Sequence, residues 1–484
     1  MTRPPQGGTA GALAAPAPAA PAAPPTPAED GLPQPRRTWA VLAVSLAIIL
    51  SVLDGTLANV ALPTIARDLQ ASPQAAVWIV NAYQLAIIAT LLPLAALGES
   101  VGYRRVFSAG VVLFTLASLA CALAGNIEAL VAARVVQGLG AGAIMCCTSA
   151  LLRFTYPAAS FGKGIARNAF VVTLSSAAGP SICAAVLAVA DWPWLFVLNL
   201  PIGIAALCAC RHLPATPRLA RRFDGWSIAL NALGMCLGIV GLDLLPHRPA
   251  LALPLIAAAV LAIGLLVRRS AGQPAPLLPL DLLRIQRFRW AISASFCMFA
   301  AQMCAFVALP FYLQYTLGRS AVETGLLMTA WPIGSSVTNL AVAQVVDRLR
   351  AETLCVAGAA LLIAGLATCA ALPAAAADGW LAAALLVAGV GFGCFQAPNN
   401  RDMLSAPPRA RSGAAGGMQA TARVNGQTWG AAAAGLCFAL AAAQGATLAL
   451  AGAIGFTALA MGINLVRRQV VPPPRQPAAP DHRN

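Results

Sequence analysis

Two ionisable side chains inside apolar runs carry the chemistry this sequence offers. Asp54 stands in LDGTLANVALPTI, within the first apolar stretch, and Arg134 stands in RVVQGLGAG, within the fourth. A charge near mid-membrane costs about 2.5–3.5 kcal/mol on insertion scales, so a chain that keeps one has a use for it. An acid at that depth can take up and release a proton while a solute crosses the bilayer. Depth arithmetic puts both charges in one layer, about 10 Å (Asp54) and about 9 Å (Arg134) from the outer ends of their spans at 1.5 Å per residue. If they pair, Arg134 holds Asp54 ionised until a competing cation or a conformational shift releases it. A static salt bridge that fixes helix packing is the other reading of the same pair.

The remaining composition describes a scaffold in lipid. The 484 residues are 59% hydrophobic and 10% charged, with a mean hydropathy of +0.76, against about 25% charged in a soluble protein. The net charge of +15 is spaced between apolar runs, which suits membrane topology and an anionic lipid surface rather than nucleic acid. The 13 cysteines fall in or beside apolar runs, without paired C-x-x-C or histidine clusters, and read as small packing residues. His212, His247 and His482 lie near span ends or in a tail, so nothing resembles a hydrolytic or metal centre, and no cofactor is expected. Without a G-x-x-x-x-G-K-[ST] loop the chain cannot be an ATP-driven pump. An ion gradient remains as the energy source; one deep acid makes the proton the simplest coupling ion, with sodium open.

Fourteen apolar stretches are long enough, or nearly so, to cross a bilayer. With the N-terminus cytoplasmic, outward loops carry only Arg67, Arg248 and Arg319, while Arg134 and Arg423 lie within spans. All the other cations fall on the cytoplasmic side, as the positive-inside rule requires. The sequence therefore predicts an all-α polytopic membrane protein with 14 transmembrane helices and both termini cytoplasmic. Its expected divisions are a disordered Pro/Ala-rich tail (1–38), a six-helix half (39–213), two inserted helices (214–268), a cytoplasmic linker (269–289), a second six-helix half (290–468) and a tail (469–484). A faint repeat supports the halves. LAALGESVGYRR after span 2 and AVAQVVDRLR after span 10 each place an acid, Glu99 or Asp347, at the membrane edge, with arginines following (Arg104 and Arg105; Arg348). Repeated halves put a substrate site between them near mid-membrane.

LDGTLANVALPTI, ALGESVGYRRVF, RVVQGLGAG and the Gly179-Pro180 pair, in that order, resemble the motifs of the major facilitator superfamily. DWPWLFVLNLPIG, GFGCFQAPNN and RSGAAGGMQATARVNGQTWG are similar to those of its fourteen-span drug:proton antiporters, the multidrug and quaternary-ammonium efflux pumps. The likeness covers nearly everything from Trp39 to Arg468. It implies the major facilitator fold, with Asp54 and Arg134 in proton coupling, Glu99, Gly102, Arg104 and Arg105 in a gating loop, and Gly179-Pro180 as a helix bend. The gating loop departs from the family, with Glu99 and Ser100 where Asp and Arg are usual and Ala95 in place of the leading Gly. The bend motif lacks further glycines, having Ser175, Cys183 and Ala184 instead. That erosion weakens the case for export, because the motif marks exporters.

A cavity between such halves needs polar contacts among apolar walls. Asn81, Tyr83, Gln84, Gln137, Gln302, Trp331, Asn339, Gln396, Asn399 and Asn400 are the candidates, each as able to join helices by hydrogen bonding as to touch substrate. Arg423 lies deep in span 13, where the resemblance also places an arginine. Binding an anionic group, organising the C-terminal half and snorkelling to the inner surface are all open to it. With Asp54 the sole deep carboxylate, the expected substrates are neutral, zwitterionic or monocationic amphiphiles. The leading expectation is a proton-coupled exporter of amphiphilic compounds in the bacterial inner membrane. A transporter of one specific metabolite is the rival, and a membrane-embedded enzyme or receptor the remote alternative. A periplasmic adaptor with an outer-membrane channel is left open.

Overall fold

An apolar chain in lipid must satisfy its own backbone hydrogen bonds, and among the described residues this one does so with helices alone. The computed structural model describes residues 31–157, 160–216, 224–271, 273, 279–345, 349–408, 411–441 and 443–470. In chain order the helices are α1 (Arg36–Asp68), α2 (Pro73–Val101), α3 (Tyr103–Ala122), α4 (Ile127–Thr155), α5 (Phe161–Leu187), α6 (Pro193–Val197) and α7 (Asn199–Cys210). There follow α8 (Gly225–Leu244), α9 (Pro249–Ala271), α10 (Gln286–Phe311), α11 (Ala321–Met328), α12 (Ala330–Val345), α13 (Ala351–Ala371), α14 (Asp378–Ser405), α15 (Ser412–Leu440) and α16 (Gly445–Val470). Several starts are written in the sequence. Ser72 Oγ caps the Ala75 amide at 3.2 Å ahead of Pro73, Asn126 Oδ1 caps Ala129 at 2.8 Å, and Ser320 and Glu323 form a reciprocal capping box.

Twelve helical segments among the described residues are long and apolar enough to cross a membrane, α6 and α7 counting together as one. The other two expected spans correspond to α15 and to α12, which follows the short α11. α15 is long enough at 29 residues but carries Arg423, Asn425 and Gln427 in its interior. α12 has only 16 described residues. Asp347, Arg348 and most of the two tails lie outside the described residues.

The helices form two groups, α1–α7 and α10–α16, with α8 and α9 packed on each other and touching α2 and α15. An Arg269–Asp224 ion pair of 2.9 Å, with Ser227 and Gln273 also bonded to Asp224, ties the start of α8 to the end of α9. These donors hold the Asp224 carboxyl below the usual carboxylate range. Contacts between the two groups cluster at one end of the bundle. There Arg67 donates to Gln314 Oε1 (3.3 Å), the Tyr315 hydroxyl to the Pro63 carbonyl (3.1 Å), and Ser181 and Thr329 share a 2.8 Å hydrogen bond. Near the N-terminal ends of α5 and α15, by contrast, a methyl placed on Gly162, Gly416 or Gly417 meets nothing within 4 Å. The polar contacts between the two groups thus gather at the end where α1 meets α10 and α5 meets α11.

Close helix approach in lipid depends on small residues, because no hydrophobic drive brings apolar helices together there. The α13–α14 seam shows the limit. A Cβ on Gly391 would lie 2.4 Å from the Leu362 amide nitrogen and 2.5 Å from the Gly358 carbonyl oxygen, both rigid backbone. Gly391→Val is expected to force the two helices apart and destabilise the fold by about 1–3 kcal/mol. Thermal unfolding of purified protein in detergent checks this: a clear drop in melting temperature is expected, while Gly264→Val, at an open position, leaves it unchanged.

Candidate functional site

α1, α2, α3, α4 and α7 bring a polar cluster together inside the N-terminal group. Asp54 and Arg134 are each 1% exposed and form an ion pair of 2.5 Å between Oδ2 and Nη1. The second carboxylate oxygen, Oδ1, accepts from Gln137 Nε2 and from Asn199 Nδ2, both at 2.8 Å. The guanidinium is equally occupied: Nε donates to the Ile79 carbonyl at 3.1 Å and Nη1 to Gln137 Oε1 at 2.5 Å. Its flat face lies 4.2 Å from the Tyr83 ring centroid. Ser118 Oγ accepts from Gln137 (2.8 Å) and donates to the Phe114 carbonyl (2.9 Å). A buried charge pair survives only when its remaining lone pairs and protons are satisfied, and this one is satisfied on both sides.

The sequence placed Asp54 and Arg134 in one layer; the structure puts them in contact and adds Gln137, a cavity candidate, between them. Asn199 and Ser118 were not singled out. Their signal was present: Asn199 is the polar residue of NLPIG in an apolar run, and Ser118 is a hydroxyl facing inward on α3.

The Gly179-Pro180 pair lies against α1 beside this cluster. A Cβ on Gly179 would meet Thr56 Oγ1 at 1.9 Å, and one on Gly325 of α11 would meet the Pro180 carbonyl oxygen at 2.7 Å. Three helices therefore touch through two glycines, two residues beyond Asp54. The α2–α3 turn carries the residues expected to take part in gating. Gly102 has φ +106°, a conformation that favours glycine, Tyr103 N donates to Thr216 Oγ1 (3.0 Å) and Arg104 to the Arg211 carbonyl (3.0 Å). Glu99 closes α2, and Arg105 is exposed.

The remaining cavity candidates separate. Gln84 Nε2 reaches Gln427 Oε1 across α2 and α15 at 3.5 Å, and Asn81 is buried near Gly435. Asn339 donates to Gln396 at 3.3 Å between α12 and α14. Gln302 and Asn400 are half-buried. Trp331 is buried against Phe306, with 5.1 Å between ring centroids. Asn399 belongs to a second charged cluster. It donates to the Ala291 carbonyl (3.0 Å) and accepts from Arg467 (3.3 Å). Arg467 also pairs with Asp402 and, at 3.9 Å, with Glu352, while Arg287 approaches Asp402 at 3.6 Å. This cage ties α10, α13, α14 and α16 together. Arg423 is half-buried and makes no hydrogen bond or ion pair among the described residues.

Many apolar helices with charge buried between them define a multi-pass membrane protein. The family model of the Major Facilitator Superfamily matches residues 44–431. The chain belongs to that superfamily, whose members are transporters rather than enzymes. It is similar to the uncharacterized transporter YebQ of Escherichia coli K12, 47% identical over 410 residues that cover 83% of this chain and 89% of YebQ. The riboflavin transporter RibZ of Clostridioides difficile is 28% identical, covering 80% of this chain and 85% of RibZ. The multidrug efflux pump LfrA of Mycolicibacterium smegmatis is 30% identical, covering 84% and 81% respectively. Together with the apolar helices, this places the chain in the bacterial inner membrane.

Removing one partner of a buried pair strands the other. Arg134→Leu is expected to destabilise the fold by about 3–5 kcal/mol, and Asp54→Asn by less, since an amide can still bond Gln137 or Asn199. Melting temperatures of the two variants in detergent check the order; equal stability in both would mean the pair is not structurally coupled.

Proposed function

We propose that this protein is a proton-coupled exporter of amphiphilic compounds that works by alternating access, with Asp54 as the proton-carrying acid. The observation that carries the reading is the Asp54 environment: a fully enclosed carboxylate bound by Arg134, Gln137 and Asn199, next to a tight helix crossing. Protonation requires Arg134 to let go, and the Ile79 carbonyl, Gln137 Oε1 and the Tyr83 ring can keep the guanidinium solvated when it does. Movement at α1 has a mechanical outlet. Thr56 is wedged against Gly179, and Pro180 against Gly325, so a shift of α1 is passed through α5 to α11 in the other half.

On this reading α12 and α15 also cross the bilayer, giving fourteen spans with both termini cytoplasmic, and the divisions at 39–213, 214–268 and 290–468 are the two halves and the inserted pair. The end at which the two groups are joined is the outer one, the conformation being inward-open. Gln302, Asn339, Gln396, Asn400, Gln84 and Asn81 line the substrate path, while Glu99, Arg104 and Arg105, with Asp347 and Arg348, latch the cytoplasmic side in the opposite state. The resemblance to LfrA, named as a multidrug efflux pump, favours export of foreign amphiphiles; that to RibZ, named as a riboflavin transporter, favours the rival of a single metabolite.

Ethidium efflux from cells expressing the wild type is expected to stop with Asp54→Asn and with an uncoupler. Efflux insensitive to both removes the proton and Asp54 from the mechanism, and saturation by one metabolite alone favours the rival. The helix crossing gives an independent check. Gly179→Ala is expected to abolish transport without loss of membrane expression, and adding Thr56→Gly, which removes the atoms the new methyl strikes, is expected to restore it at least in part. Failure of that rescue would sever Gly179 from the coupling path.

A further inference from the structure

The charges buried in the bundle are unequally matched. Asp54 is bound to Arg134, and Glu352 and Asp402 are bound to Arg467 and Arg287. Every buried carboxylate among the described residues already has its cation. Arg423 alone among the deep arginines has no hydrogen bond or ion pair among the described residues. It lies 11 residues into α15 (Ser412–Leu440), about 16 Å from the helix start.

The surroundings of Arg423 suit a ligand rather than a helix contact. Gln419 and Gln427 flank it at i−4 and i+4 on the same face. Further along that face, Gly426 and Gly430 let α10 close in, with a Cβ on either meeting the Phe296 or Ala300 carbonyl oxygen within 2.5 Å. In the other direction the face opens, and a Cβ on Gly416 meets nothing within 4 Å. Gln427 is also the residue that bonds Gln84 of the opposite half. Arg423 therefore stands at the seam between the halves, where the packed section of α15 gives way to the open one. A planar guanidinium offers five donors in a fork that matches a carboxylate or sulfonate.

We propose that Arg423, assisted by Gln419 and Gln427, binds the oxyanion of an amphiphilic anionic substrate. The inference rests on the transport reading above and narrows it, moving the preferred substrate from neutral or monocationic amphiphiles to those carrying a carboxylate or sulfonate. Among the described residues no unpaired buried acid stands ready for a cation, so recognition is asymmetric in charge.

Two xanthene dyes of opposite charge test this, fluorescein as the anion and rhodamine 6G as the cation, titrated by fluorescence anisotropy against full-length protein in phosphatidylcholine nanodiscs without any gradient. Saturable fluorescein binding is expected, weakened about tenfold or more by Arg423→Gln and largely kept by Arg423→Lys, with rhodamine 6G affinity unmoved by either. Binding is measured without any gradient, so a failure of proton coupling is read separately, in energised proteoliposomes. Absence of saturable fluorescein binding, the same affinity in Arg423→Gln, or equal loss for both dyes would overturn the proposal. Displacement of fluorescein by phosphatidylglycerol in the disc would assign the oxyanion to a lipid headgroup and overturn the substrate reading as well.

Discussion

The N-terminal half of this protein is organised around one charge pair removed from water. Asp54 and Arg134, 2.5 Å apart, cannot be stable in an apolar interior on mutual attraction alone, because desolvating both ions offsets much of that attraction. Their neighbours make up the difference. Gln137 donates to the acid and accepts from the base, Asn199 fills a further site on the carboxylate, and Ser118 and the Ile79 carbonyl close the remaining valences. Those groups come from α1, α2, α3, α4 and α7, so satisfying one carboxylate fixes the relative depth of five helices. The requirement leaves little freedom in how that half can pack.

Among the described residues the C-terminal half shows no counterpart of this pair in the middle of its helices. Its charged cage, Arg467 with Asp402, Glu352, Asn399 and Arg287, binds the ends of α10, α13, α14 and α16, whereas its middle presents Arg423 and carboxamides. The halves thus differ in kind: one encloses a saturated ion pair, the other exposes an unsaturated cation to the seam. In the proposed cycle the first would carry the proton and the second would meet the solute. The contact line from Thr56 through Gly179 and Pro180 to Gly325 would join them.

Much of this was legible in the sequence, and the limits have physical causes. Apolar run lengths and arginine placement reveal helices in lipid directly, because the bilayer constrains both. The shared layer of Asp54 and Arg134 followed from helical rise alone. Asn199 and Ser118 did not stand out, since a small polar residue in an apolar helix is as common in helix packing as in a site, and only proximity across 145 residues to Asp54 shows which it is. Arg467 looked like one more cation at the inner surface; its burial depends on acids more than 60 residues away in α13 and α14. The span count is where composition blurs, because α15 holds Arg423, Asn425 and Gln427 in its interior.

Proton movement driven by substrate tests the role of Asp54 most directly. Proteoliposomes loaded with a pH-sensitive dye and given an outward gradient of a transported amphiphile, with no imposed pH difference, would report whether downhill solute flux drives protons the other way. Wild-type protein is expected to acidify the lumen in step with the solute gradient, and Asp54→Asn to leave the lumen silent. Equal proton flux in the variant, or solute flux in the wild type with no proton movement, would contradict a coupling role for the Asp54–Arg134 pair.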